Sequence, residues 1–125
     1  MENRYLFRGK RKDNGEWIQG YLYGIWERRY ILWGMTNDIP NMVEVDPETV
    51  CQCTAMPDKN KKLVFEHDIV WDSDERAFYE IIWNQEDMCW NVKDADGHKS
   101  EFEECYGSTI EVNGNRFDNP ELLEV

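Results

Sequence analysis

The sequence predicts an all-β protein: two small barrel-like lobes of short strands, with one short helix at the C-terminus. Two observations carry that expectation. Six Trp, six Tyr and five Phe recur along nearly the whole 125-residue chain, and large aromatics suit the pleated, half-buried surface of strands. The apolar runs are short and separated by polar turn clusters, with Asn-Gly at 14–15 and again at 113–114, a pattern of small barrels or curled sheets.

Taken in order, Tyr5-Leu-Phe-Arg8 reads as the first strand, Asp13-Asn14-Gly15 as a turn, and Trp17-Ile-x-Gly20-Tyr-Leu-Tyr23 as the second strand. Asn-Gly between apolar runs signals a type I′ hairpin, which needs positive φ at both central residues. Tyr30–Trp33 is a third strand, and Thr36–Met42, with Asn37, Asp38, Pro40 and Asn41, reads as a loop. Val43-x-Val45 and Thr49–Thr54 flank a turn at Asp46-Pro47-Glu48, where proline already has the φ of a type I turn. Pro57–Lys62 is a polar cluster and the expected seam between lobes 1–57 and 62–125. Leu63-Val-Phe65 and Ile69-Val-Trp71 bracket Glu66-His67-Asp68; Phe78–Trp83 and Met88–Val92 read as paired strands, with Asp94–Gly97 turning the chain next. Ile110-x-Val112, Asn113-Gly114 and Arg116-Phe117 suggest a second Asn-Gly hairpin. Asn119 before Pro120 is a helix-start signal, and Glu101–Tyr106 suggests a helical turn.

Composition bounds the function. One compact unit or two small lobes is the expected size class, and a chain of this length buries roughly two-thirds of its unfolded surface without disulfides. Hydrophobic residues at 41% exclude intrinsic disorder as the default. Residues 1–30 hold seven Lys/Arg against four Asp/Glu, a net +3, while residues 31–125 hold seven against twenty-two, a net −15. Nucleic-acid binding rests on neutralising phosphates with cations, so the acidic majority argues against a DNA- or RNA-binding body. Met1-Glu-Asn-Arg4 leads straight into a strand-like pattern without an apolar leader, and no run approaches the ~18 apolar residues of a membrane span. We therefore expect a protein of the cytoplasm, with Cys51, Cys53, Cys89 and Cys105 reduced.

The block Glu44-Val-Asp-Pro-Glu-Thr-Val50, with Gln52, Thr54, Asp58-Lys59-Asn60 and Phe65-Glu66-x-Asp68-Ile69-Val70, resembles the YopX family of phage- and prophage-encoded proteins. Tyr5-Leu-Phe-Arg8, Trp17-x-x-Gly20-Tyr21 and Ile110-Glu-Val-x-Gly114-Asn115-x-Phe117-x-Asn119-Pro120-Glu121-Leu122-Leu123 extend the resemblance to both ends of the chain. It implies an all-β architecture with an SH3-like or related barrel after the seam, and no activity. The family pattern has Gly where Cys51, Ala55, Lys61 and His67 stand and an aromatic at Cys53. Only Gly takes positive φ without steric cost, so the backbone at those turns is in question.

Weighing the chemistry-bearing residues leaves no catalytic, cofactor-binding or metal residue assigned. Cys51-x-Cys53 with Cys89 and Cys105 is formally a four-thiolate set, but a one-residue gap on a strand is tight for zinc, and ordinary buried thiols are the better reading. Asp94-x-Asp96-Gly97 with Glu101 echoes a calcium loop that lacks its third Asp-type ligand and its twelfth-position Glu, so a turn is preferred. Asp72-Ser-Asp74-Glu75 reads as an exposed turn. His67, between Glu66 and Asp68, is the one place for acid-base chemistry and reads better as a surface turn. Arg8-Gly-Lys10-Arg-Lys12 reads as a solvated hairpin tip, and Trp17, Tyr21, Tyr23, Trp26, Tyr30 and Trp33 as core rather than a stacking platform.

The expectation is a non-enzymatic accessory protein that works through contacts with a protein partner, host-encoded or another copy. A homo-oligomer is expected, because the charge split offers complementary faces. Two alternatives stand beside it: an acidic nucleic-acid mimic that binds a basic host DNA-handling protein, and an oligonucleotide- or sugar-binding barrel lined by aromatics. The mimic would draw on Asp72, Asp74, Glu75, Glu86, Asp87, Asp94, Asp96, Glu101, Glu103 and Glu104.

Overall fold

In a computed structural model, which describes residues 3–124 with the side chains at 104 and 105 excepted, the chain is built of eleven strands joined by turns. Among the described residues the helices are 3-10 turns of three to five residues, and none is long and apolar enough to cross a membrane. The chain divides into two compact units, Met1–Cys53 and Thr54–Val125. The Pro57–Lys62 turn lies within the second.

In the first unit, β1 (Phe7–Lys10), β2 (Trp17–Ile25), β3 (Arg28–Thr36), β4 (Ile39–Val45) and the start of β5 (Cys51–Pro57) form an antiparallel sheet in the order β4-β3-β2-β1-β5. Ile31, Val45, Cys51 and Cys53 are buried. Gly20 is where β2 leaves β1 for β3: it pairs with Phe7, and Tyr21 next to it pairs with Leu32. A Cβ at Gly20 would lie 2.1 Å from the Leu32 carbonyl oxygen, so backbone approach, not flexibility, demands glycine. The Asp46-Pro47-Glu48 turn is as expected: Asp46 Oδ1 accepts from Glu48 N at 3.0 Å, and Pro47 opens a 3-10 turn. Thr49 locks it to β1, its Oγ1 accepting from Lys10 N and donating to Asp46 O.

Two expectations for this unit are corrected. The Asn14-Gly15 turn is not type I′, because Gly15 alone is left-handed (φ 74°) and its N–H bonds to Arg11 O across a wider loop. The type I′ geometry sits instead at Asn37-Asp38, inside the segment read as a loop: both are left-handed (φ 53° and 65°) and join β3 directly to β4. Short polar side chains tolerate that region, and Pro40 is accommodated because β4 is the last strand in the sheet order.

In the second unit the rest of β5 lies beside β6 (Leu63–Phe65), and β7 (Asp68–Asp72), β8 (Ala77–Asn84), β9 (Cys89–Lys93), β10 (Lys99–Glu101) and β11 (Ile110–Asn115) form a sheet in the order β10-β9-β8-β7-β11. Val64, Val70, Ile81, Val92, Phe102 and Ile110 make its core. Side-chain carboxylates hold its turns. Asp58 Oδ1 accepts from Asn60 N and Lys62 N while Oδ2 accepts from Val112 N, and Asp68 Oδ2 accepts from Phe65 N.

Here too the C-terminal expectations change. Asn113-Gly114 makes no hairpin; it is a register shift inside the single strand β11, which pairs with β7 throughout. Gly114 is required because a Cβ would meet Asn119 Oδ1 at 2.4 Å. The expected C-terminal helix is only a 3-10 turn, Pro120–Leu123. Asn119 does not cap it, because its Oδ1 accepts from Asn115 N at 3.3 Å instead. The helical turn expected at Glu101–Tyr106 forms at Glu104–Ser108, since Glu101 still pairs with Asn91 in β10.

The turns keep their geometry without glycine. Ala55, Lys61 and His67 have φ of 67°, 66° and 68°, whereas Cys51 begins the extended strand β5. A left-handed L-residue costs roughly 1–2 kcal/mol. Ala55→Gly and Lys61→Gly should therefore each raise unfolding stability by about 1 kcal/mol in chemical denaturation, and Gly20→Ala should lower it by about 3 kcal/mol or prevent folding.

Candidate functional site

A charged residue stands in the middle of the apolar run of β8. Glu80 pairs with Ile69 and Lys93 across the sheet and is only 3% exposed. Three basic side chains converge on it from separate elements: His67 Nδ1 at 2.8 Å from the β6–β7 turn, Arg116 Nη1 at 3.5 Å from the C-terminal segment and Lys93 Nζ at 3.8 Å from β9. The C-terminal signature sets Arg116 in place. Asn115 Oδ1 accepts from Phe117 N and Asp118 N, Arg116 N donates to His67 O, and the Phe117 ring meets the His67 ring edge-on at 5.7 Å. Burial pushes the Glu80 carboxyl up, but the His67 hydrogen bond, Arg116 and Lys93 outweigh it and hold the group below its ordinary range. An ionised carboxylate only accepts, so His67 Nδ1 carries the proton, and its Nε2 faces Glu66 Oε2 at 3.6 Å. His67 is thus part of a half-buried clamp, not a surface turn residue. Its chemistry here is to donate a hydrogen bond to a buried charge.

A second feature lies in the first unit, where β2, β3 and β4 cover one face and leave the other open. Residues paired across strands share a face. Tyr21, Leu32 and Met42 form one row, Tyr23 and Tyr30 the next with Glu44 at its end, Ile25 and Arg28 a third, and Met35 and Pro40 a fourth beyond the register shift at Trp33. Tyr23 is 45% exposed, Met42 50%, Met35 65% and Trp26, at the tip of the β2–β3 hairpin, 85%. Tyr21, Tyr23, Trp26 and Trp33 are therefore not core residues, as read from sequence; the alternation that was to bury them puts Ile31 and Val45 inside and the tyrosines outside. Trp26 is left-handed (φ 52°), rare for a bulky residue. Arg29 clasps its turn, with Nη1 donating to Trp26 O and Arg28 O at 2.9 Å.

The remaining candidates are dispersed. Cys51 and Cys53 are buried in the first unit, with Cys51 Sγ donating to Thr49 O, while Cys89 stands beside Asn91 in the second; the Cys105 side chain lies outside the described residues. The cations of the basic run are engaged: Arg8 and Lys10 lie over the Trp17 ring, Arg11 pairs with Asp13 and Lys12 with Glu44. Asp94, Asp96 and His98 bring ligand-type atoms within 4.8 Å of one another on an exposed turn. Asp94 Oδ1 is already bound by the backbone amides of Asp96 and His98. Of the carboxylate set, Asp72 is buried and caps Asp74 N, and the Glu104 side chain lies outside the described residues. Glu80 went unnoticed in sequence, although a lone acid inside Phe78-Tyr-Glu-Ile-Ile was the signal. Trp26 was counted as core despite its place in a turn.

The ionic centre makes a pH prediction. Because folding lowers the Glu80 pKa, its stabilisation is complete above the ordinary glutamate value of 4.5 and is lost as pH falls through the lower folded value. Glu80→Gln should cost about 2 kcal/mol at neutral pH. The gap to the wild-type protein should close in acid, as read from denaturation curves across pH.

Comparison with curated proteins gives no match. The family model described as YopX protein matches residues 6–124, nearly the whole chain, and the protein belongs to the YopX family.

Proposed function

We propose that this YopX-family chain is a non-enzymatic accessory protein, encoded by a phage or prophage and acting in the bacterial cytoplasm through contacts with protein. The observation that supports this most is the open face of β2-β3-β4. Antiparallel sheets ordinarily set polar residues on their solvated face; here the four rows begin with Tyr21, Tyr23, Ile25 and Met35, and contiguous exposed apolar surface of that kind marks interaction sites. The His67 ring, between two carboxylates, is committed to holding the second unit together. For that unit we extend the proposal to the SH3-like or related barrel that the family resemblance implies.

Residues 54–125 hold eighteen Asp/Glu against seven Lys/Arg, which favours a second reading as a nucleic-acid mimic. A mimic needs a continuous track of charge. Asp74 and Glu75 turn β7 into β8 and Asp94 and Asp96 turn β9 toward β10, whereas Glu86 and Asp87 sit in the β8–β9 turn at the other end of the strands. A shape-driven contact through the apolar face fits better, and the same exposed tyrosines are what a sugar- or oligonucleotide-binding reading would use.

Affinity capture with mass spectrometry, from a bacterial host lysate that also holds an untagged copy of the chain, tests the proposal for either kind of protein partner. Tyr23→Lys with Met42→Lys should abolish capture of protein partners at an unchanged melting temperature; undiminished capture overturns the reading, and loss of nucleic acid or glycan instead of protein replaces it. Trp26→Gly should raise stability by about 1 kcal/mol by relieving the left-handed backbone while weakening capture.

A further inference from the structure

The open face is wide enough and neutral enough to take a second copy of the chain, given the reading that it is a protein-contact surface. Tyr21, Tyr23, Ile25, Met35 and Met42 are 37–65% exposed. With some 150–250 Å² to cover on each large side chain, they present on the order of 500 Å², and Trp26 adds roughly 150–200 Å² at 85% exposure. A face of that size pressed on a copy of itself removes more than the ~1,000 Å² of total surface that a specific interface needs.

Charge selects the unit through which two copies can meet. The first unit holds seven Lys/Arg against eight Asp/Glu, a net −1, while the second holds seven against eighteen, a net −11. Contact through the second units would bring two strongly negative bodies together. Contact through the first units would not. The charged residues among the paired rows of the face are Arg28 and Glu44, one of each sign, and a twofold axis lets residue i of one copy meet residue j of the other twice over. The complementary-charge contact expected from the +3 and −15 segments is disfavoured, because Arg8, Lys10, Arg11 and Lys12 are engaged within the first unit.

We infer that the β2-β3-β4 face of the first unit packs on the same face of a second copy of the chain, forming an isologous homodimer around Tyr21, Tyr23, Leu32 and Met42. The contact is apolar at its centre, so salt strengthens it or leaves it unchanged.

Sedimentation and light scattering of the full chain test this at tens of micromolar, in dilute salt and in about 1 M salt, where charges are screened beyond ~3 Å. The expected result is a dimer in both. Tyr23→Lys with Met42→Lys should raise its dissociation constant at least about a hundredfold with the circular dichroism of the folded chain unchanged, and Met88→Lys, more exposed at 64% but in the second unit, should leave it unchanged. A wild-type monomer overturns the inference. So does a dimer that salt dissolves, or one that survives the paired lysines. If the chain is monomeric yet captures a host protein through this face, the interaction reading stands and only the self-partner falls.

Discussion

The second unit depends on one unavoidable cost: a carboxylate buried in the middle of β8. An isolated buried charge is costly by several kcal/mol, so Glu80 is compatible with the fold only if cations and hydrogen-bond donors reach it. His67, Lys93 and Arg116 come from the β6–β7 turn, β9 and the C-terminal segment. Satisfying a single side chain therefore fixes where three separate pieces of chain must lie. The C-terminal 3-10 turn follows Arg116 onto β8, so the segment from Arg116 to Leu123 is held by an ion pair and a hydrogen-bonded asparagine rather than by a longer helix. Neutralisation by a shared set also accounts for the direction of the Glu80 shift: desolvation alone would raise its pKa, and three partners outweigh it.

The family signature gains a physical meaning from the same unit. Its Asp and Asn residues are clamps on backbone amides. Asp58 binds two amides of its own turn with one oxygen and Val112 of β11 with the other. Asp68 closes the tight turn that carries His67, and Asn115 and Asn119 interlock around Gly114. Short strands leave many amides at turns, and a buried amide without a partner costs about as much as a lost hydrogen bond. Small polar side chains at fixed spacings meet that demand, and this is why the signature is readable in sequence without naming a reaction.

Strand content, the placement of most strands and the Asp46–Thr49 turn were legible because they rest on local chemistry: aromatic alternation, and proline after a capping aspartate. What was misread depends on contacts distant in sequence. Asn113-Gly114 resembles a hairpin until Asn119 and β7 claim it. Asn119-Pro120 resembles a helix start until the Asn119 side chain turns back to Asn115. Asn37-Asp38 is the reverse case, a type I′ turn hidden because glycine is its usual marker. Glu80 and the tyrosine face could be found only with register, since a one-residue change in pairing would exchange the buried and open sides of β2 and β3.

Of the side chains that hold left-handed backbone at turns, His67 and Trp26 carry rings, and they differ in what the ring does. At His67 the strain is offset locally: the ring contributes a charge-assisted hydrogen bond to a buried carboxylate and packs on Phe117. At Trp26 there is no comparable return within the unit. The indole is 85% exposed at the hairpin tip, and the clasp by Arg29 grips only backbone carbonyls, which any residue would supply. Glycine would fit that turn with less strain. A large aromatic at that tip, beside the exposed rows, is what the protein contact we propose would use. Strain of this kind clusters at functional sites, and burial of the indole against a partner is the use our proposal gives it.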